Sequence, residues 1–135
     1  MLNPRLFVYG TLRRESGDRM AELLDRHARC LGRARARGRL YDVGAYPGLK
    51  EALSSDDWVH GELYELHDPE LSLPELDGYE GCGPENPPPY LFERRLEAVY
   101  PAGRDPVRCW VYFYVPSVDE GRRIPSGDYL TETRS

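Results

Sequence analysis

One carboxylate set among glycines is the chain's best candidate for proton transfer. The segment Leu76-Asp77-Gly78-Tyr79-Glu80-Gly81 places Glu80 where a short helix should run out. A carboxylate there, between apolar and glycine neighbours, would be partly desolvated; this raises its pKa and suits it to general-base work. On local sequence alone, a surface carboxylate in a turn is the plainer reading. Asp77 reads as a structural hydrogen-bond partner, not a second catalyst. The other candidate is Tyr9-Gly10-Thr11-Leu12, where the apolar run Arg5-Leu6-Phe7-Val8-Tyr9 meets a glycine. A turn at that point aims several backbone N–H groups one way and can hold an anion or a developing oxyanion. Gly10 lets the backbone come close to a ligand. A simple strand-ending turn would carry the same residues.

Other chemistries find less support. Cys30, Cys82 and Cys109 are odd in number and widely spaced, offering neither a metal-ligand pair nor a disulfide framework. Cys30 and Cys109 fall on apolar faces and read as core. His27, His60 and His67 form no metal-binding pattern, so neither metal nor cofactor is expected. A cysteine hydrolase built on Cys82 with His60 or His67 as base competes with Glu80, but nothing in the sequence brings a histidine beside Cys82.

The elements that must position these groups follow from periodicity. Arg5–Tyr9 suits a buried strand. Met20, Leu23, Leu24, His27 and Leu31 recur three and four apart, predicting a helix over 18–31 with Asp18 as N-cap and Gly32 as its stop. Arg33-Ala34-Arg35-Ala36-Arg37-Gly38-Arg39-Leu40-Tyr41 alternates strictly, which is a strand with its arginines on one face. That stripe is the best case for RNA binding. A solvated outer face packed beside acidic side chains explains it more simply, since interleaved aromatics are missing from the strand itself. Tyr46-Pro47-Gly48-Leu49 reads as a turn and 59–64 as a strand. Asp68-Pro69 opens one short helix, and Ser72-Leu73-Pro74-Glu75, a capping box, opens a second that ends at Gly78 or Gly81. The run 81–89 is a proline-stiffened loop. Two strands follow. In the second, Val107, Cys109, Val111, Phe113 and Val115 share one face, with Arg108, Trp110, Tyr112 and Tyr114 opposite. A strand apolar or aromatic on both faces is covered on both, which favours a closed barrel. The expected fold class is therefore α+β, with two or three short helices and a mostly antiparallel, curled sheet closing into a barrel.

The chain has 135 residues, one domain's worth, read as a single domain over 1–135. Hydrophobic residues at 40% and charged residues at 30% match a soluble globular protein, not a disordered one. No apolar run approaches the ~20 residues of a membrane span. The opening Met-Leu-Asn-Pro-Arg-Leu lacks the apolar stretch of a secretory signal, so a cytoplasmic location and no membrane partner are expected. A net charge of −5 argues against general nucleic-acid binding while leaving room for a local basic patch.

In order and spacing, Phe7-Val8-Tyr9-Gly10-Thr11-Leu12-Arg13, Tyr46-Pro47-Gly48, Val59-His60-Gly61-Glu62-Leu63-Tyr64, Leu76–Gly81, Phe92-Glu93-Arg94 and Trp110–Tyr114 form a specific set. On them the chain resembles the gamma-glutamylcyclotransferase-like (AIG2-like) family from Leu6 to about Tyr129. The resemblance implies a small mixed β-barrel with short flanking helices, a Tyr-Gly-Thr-Leu loop holding the glutamyl end of a small gamma-glutamyl substrate, Glu80 as the catalytic residue, and release of 5-oxoproline. Arg94, Tyr112 and Tyr114 are expected to line the cavity, with Tyr114 nearest the ligand. The family's usual Tyr-x-Arg appears here as Phe92-Glu93-Arg94, and the loop after Gly81 is rich in proline, so the resemblance leaves the leaving group open. A binding or regulatory protein that keeps the cavity without turnover is the alternative. Oligomeric state is not legible.

Overall fold

The computed structural model describes residues 2–10, 24, 26–44, 46–80 (Tyr79 through its backbone), 82 and 88–129. Its elements are β1 (Arg5–Val8), β2 (Ala28–Arg37), β3 (Arg39–Asp42), β4 (Pro47–Lys50), β5 (Trp58–Leu66), α1 (Pro69–Tyr79), β6 (Phe92–Pro101) and β7 (Val107–Tyr114), followed by a 3₁₀ turn at Glu120–Arg122. Five strands close a barrel in the order β1-β5-β2-β6-β7, and β3 and β4 form a separate two-stranded sheet. Barrel pairs are antiparallel except the closing one, β1 with β7, which is parallel and sets Leu6 opposite Trp110. The closed, mostly antiparallel barrel is what the alternation predicts, and the parallel closing pair makes it mixed, as the resemblance implies.

Two apolar clusters follow from the two faces of the strands. Phe7, Tyr9, Val59, Leu63, Val99, Cys109, Val111 and Phe113 pack with Leu40 and Leu49 of the small sheet. Leu6, Val8, Tyr64, Leu66, Phe92 and Tyr112 pack with Leu73 and Leu76 of α1. Because the helix joins the second cluster, that cluster is the barrel's outer face and the first is its inside. β7 is thus covered on both sides, as its sequence requires.

β2 changes face midway. Cys30 pairs with Tyr64 and Gly32 with Leu63, leaving Leu31 as an extra residue in a bulge. Gly32 has φ +107°, a conformation that side chains resist. Before the bulge, Ala28 packs under α1; after it, Ala34 and Ala36 point into the barrel while Arg33, Arg35 and Arg37 are exposed. The stripe is therefore an outer face, but its neighbours are aromatic. Arg35 lies 4.0 Å and Arg37 4.9 Å from the Trp58 ring centre, and Arg37 also donates to the Ser55 carbonyl.

Several expected elements are redrawn. The helix predicted over 18–31 lies largely outside the described residues. Its last part is strand, because Ala28–Cys30 pair with β5, and Gly32 serves the bulge in place of a helix stop. The alternating run through Tyr41 breaks at Gly38, where an added Cβ would lie 2.5 Å from Leu49; β3 then leaves the barrel. Pro47–Lys50 is strand β4, not a turn, since it pairs with β3 and buries Leu49 completely. The two short helices are one. Asp68 caps α1 by accepting from the Leu71 amide, and Pro74 sits inside it, forfeiting one backbone bond without ending the helix. No helix among the described residues is long and apolar enough to cross a membrane.

At Gly61, on β5, a Cβ would fall 2.1 Å from the Val8 carbonyl oxygen and 2.8 Å from the Phe7 ring. Backbone cannot yield as a side-chain tip does, so Gly61→Ala is expected to lower stability by about 3 kcal/mol. Thermal unfolding checks this. A midpoint within about 2 °C of the parent would mean that β1 moves aside freely.

Candidate functional site

Glu80 owes its position to the end of α1. The helix stops at Tyr79; Glu80 caps it with φ −80° and ψ −4°, donating its amide to the Leu76 and Gly78 carbonyls. The Cys82 amide bonds back to the Asp77 carbonyl at 2.9 Å, turning the chain away from the helix axis. Asp77, one turn before, pins this end to the barrel. Its Oδ1 accepts from Arg94 Nε and from the Tyr112 hydroxyl, both at 2.7 Å, and its Oδ2 accepts from Arg94 Nη2 at 3.0 Å. Arg94 also stacks on Trp110 at 4.2 Å. The expectation that Asp77 is a structural partner describes this geometry.

Glu80 and Gly10 line one cleft, together with Phe7, Val8, Tyr9, Tyr46, Pro47, Phe92 and Tyr112. The cleft is narrow, with about 30 Å³ of enclosed room and about 370 Å³ when its open mouth is counted. Gly10 is required there, since a Cβ would lie 2.7 Å from the Pro47 ring. Tyr9 anchors the turn by donating its buried hydroxyl to the Tyr112 carbonyl. Thr11 and Leu12 lie outside the described residues.

Electrostatics mark the carboxylate's neighbours. Burial, then the charge of Glu80, raises the Tyr9 phenol well above its ordinary range. Tyr112 is also raised, by burial first and then by its bond to Asp77 and the charges of Asp77 and Glu80. Tyr46 is raised by burial, then by Tyr114 and Glu80. All three phenols stay protonated at neutral pH; Tyr9 and Tyr112 already donate to the Tyr112 carbonyl and to Asp77, which leaves the Tyr46 hydroxyl as the potential donor in the cleft.

Two of the expected site residues are not among those lining the cleft. Tyr114 packs on its wall residue Phe92 at 5.4 Å; Gly48 lies under the Tyr114 ring, where a Cβ would come within 2.8 Å, and Lys50 Nζ donates to its carbonyl at 2.9 Å. Tyr112, two residues earlier on the same face, takes the place. Arg94 spends its fork on Asp77 and opens onto a neighbouring cleft with Cys82, Tyr90, Glu93 and Val115. Tyr46 and Pro47, read from sequence only as a turn, are wall residues; the aromatic-proline pair gave no sign of this without the pairing of β3 with β4.

The cysteine alternative loses its chemistry. Burial, with the charges of Asp77 and Glu80, pushes the Cys82 thiol up to about 11, so it is not a thiolate at neutral pH. His60 is exposed on the far stripe of the barrel beside Arg35. Cys82→Ala is expected to keep turnover within a few-fold of the parent in a steady-state assay; a loss above about a hundredfold, the range of a missing catalytic group, would restore the cysteine to the mechanism. Among the described residues, no three His, Cys, Asp or Glu side chains converge as a metal site.

The fold and cleft define a small mixed-barrel protein with one carboxylate facing a strand-end glycine turn. Residues 6–131 match the model of the family described as gamma-glutamyl cyclotransferase, AIG2-like, and the chain belongs to that family. It is 34% identical over 127 residues to the gamma-glutamylcyclotransferase family protein YtfP of Escherichia coli K12, covering 93% of this chain and 96% of the relative. Among solved structures it is similar to YkqA of Bacillus subtilis, with TM-score 0.69, 25% identity and 98% of this chain covered; the match spans only 41% of YkqA. It is also similar to an AIG2-like protein of Mus musculus, with TM-score 0.63, 27% identity and coverage of 87% and 80%.

Proposed function

We propose that the protein is a gamma-glutamylcyclotransferase that releases 5-oxoproline from a small gamma-glutamyl compound. The observation that carries this reading is the shared cleft of Glu80 and Gly10 in a chain of this family. In the reaction the substrate's α-amine attacks its own γ-carbonyl and closes a five-membered ring, expelling the amine bound there. Nucleophile and electrophile are already tethered, so binding need only hold the chain folded. The α-amine is a cation at neutral pH. Glu80 takes its proton and returns it to the departing amine, so a single group serves as base and then as acid. Backbone N–H groups of the turn at Gly10, with Thr11 and Leu12, hold the substrate carboxylate or the oxyanion. The glutamyl unit would enter from the open mouth with its reacting end at Glu80, and the phenols of Tyr9, Tyr46 and Tyr112 would form the polar edge of an otherwise apolar wall. The chemistry needs no metal, nucleotide or water nucleophile.

The test is 5-oxoproline formation over a panel of free gamma-glutamyl amino acids, gamma-glutamylamines and larger gamma-glutamyl adducts. Release from at least one, with the matching free amine in equal amount, supports the reading. Tight binding of a panel member without any release would favour a binding protein using the same cavity.

A further inference from the structure

We propose that the outer face of β2, with the β6–β7 turn, is a second binding site, for a ligand carrying two or more phosphate groups. This inference is independent of the reaction at Glu80. The cleft there is lined by Arg33 and Arg35 from β2, His60 from β5, Tyr100 from β6 and Arg104 from the turn, and measures about 350 Å³, within the range of small-ligand sites. Among the described residues no carboxylate lines it, the acid in register with Arg33 being the buried Glu62. In a chain of net charge −5, three guanidinium groups together are a local reversal of sign. Several barrel arginines pair with acids: Arg29 with Glu65, Arg94 with Asp77, Arg95 with Glu51 and Glu93. Among the described residues the three of this cleft make no ion pair, and they are gathered in one place.

The central arginine is also held in place. The Arg35 guanidinium lies 4.0 Å from the centre of the Trp58 ring, and the ring edge meets Tyr100 at 5.3 Å and 89°. Strand register explains the cluster, because Arg35 stands between His60 on one side and Tyr100 on the other. A guanidinium stacked on an indole face is stabilised without using its N–H edges, which stay free for bidentate contact with an oxyanion. Arg33 and Arg35 are two residues apart on one strand face, roughly 7 Å. Three guanidinium groups round one cleft, the third from Arg104, match the spread charge of linked phosphates better than that of a single oxyanion. The ligand could be a small polyphosphate or the backbone of a nucleic acid; both present the same chemistry.

The test is calorimetric titration of the full chain with inorganic triphosphate, with citrate as a carboxylate trianion and with a single-stranded octanucleotide. Triphosphate is expected to bind and to weaken at least tenfold in Arg35→Gln and in Arg104→Gln, with 5-oxoproline release unchanged in both. Arg104 lies exposed on a turn and is held there by its backbone bond to Pro101, so its variant is expected to fold even if Arg35→Gln does not. Tighter binding of the octanucleotide, lost in the same variants, would support the site and assign nucleic acid as the source. Absence of triphosphate and octanucleotide binding, equal affinity for citrate, or affinity unchanged in Arg104→Gln would each overturn the proposal.

Discussion

Glu80→Gln is expected to lose 5-oxoproline release by at least the ~10²–10⁴-fold typical of a missing acid–base group, with the fold intact. Glutamine fills the same volume and can keep one hydrogen-bond acceptor, but it cannot take the ammonium proton. The loss should fall on kcat, with KM little changed, because the side chain acts on the reacting amine and not on the remote parts of the substrate. Circular dichroism and thermal unfolding should match the parent, since Glu80 is the cap of α1 through its backbone, which the substitution leaves in place. Kinetics on whichever panel member is turned over decide the matter. Activity within a few-fold of the parent would remove Glu80 from the chemistry and leave the cleft as a binding site.

The second large effect is expected at Asp77. Its carboxylate accepts three hydrogen bonds, two from Arg94 and one from Tyr112, and both ends of the ion pair are mostly shielded from water. Asp77→Asn turns an oxygen that faces the guanidinium into an N–H donor and leaves the cation without its partner. Breaking such a pair from one side costs about 3 kcal/mol, a fall of roughly 10 °C in melting temperature for a chain this size. Activity should also drop at temperatures where the variant is folded, since Asp77 fixes both the last turn of α1 that carries Glu80 and the Tyr112 wall. The double variant Asp77→Leu with Arg94→Met separates the two effects. Removing both charges together should return most of the stability but not the activity. Full recovery of turnover in the double variant would show that Asp77 stabilises the barrel without positioning Glu80.

The pattern that repeats every two residues was legible in the sequence, and with it the barrel. β7 shows this best: its two apolar faces imply two covering layers, and the layers are there in the barrel interior and α1. Periodicity is blind to a single extra residue, so the bulge at Leu31 left no trace, and the three-and-four spacing from Met20 carried a helix through Ala28–Leu31 where strand pairing wins. Proline misled in the opposite direction. Pro74 suggested a break, yet it costs only one backbone bond, which the packing of Leu73 and Leu76 outweighs. Within the site, Glu80 and Gly10 stood out because glycines flank them. The choice of Tyr112 over Tyr114 could not be made from β7 alone, since both lie on one face. It is made by Gly48 and Lys50 of β4, sixty residues upstream, pressing on Tyr114. The barrel-facing partner of a strand that lies in another sheet is a tertiary fact without a local signature.

The bulge in β2 lets one strand serve two layers. Upstream of Leu31 its even-numbered side chains pack beneath α1, and downstream the even-numbered ones fill the barrel. The extra residue makes that exchange, not the strand's length. Straightening the strand with Leu31 kept would turn Arg33, Arg35 and Arg37 inward and expel Ala34 and Ala36. Deleting Leu31 would instead set Cys30 and Gly32 opposite Tyr64 and Leu63 in plain alternation and leave the arginines outside. Leu31 works as a half-twist in a ribbon.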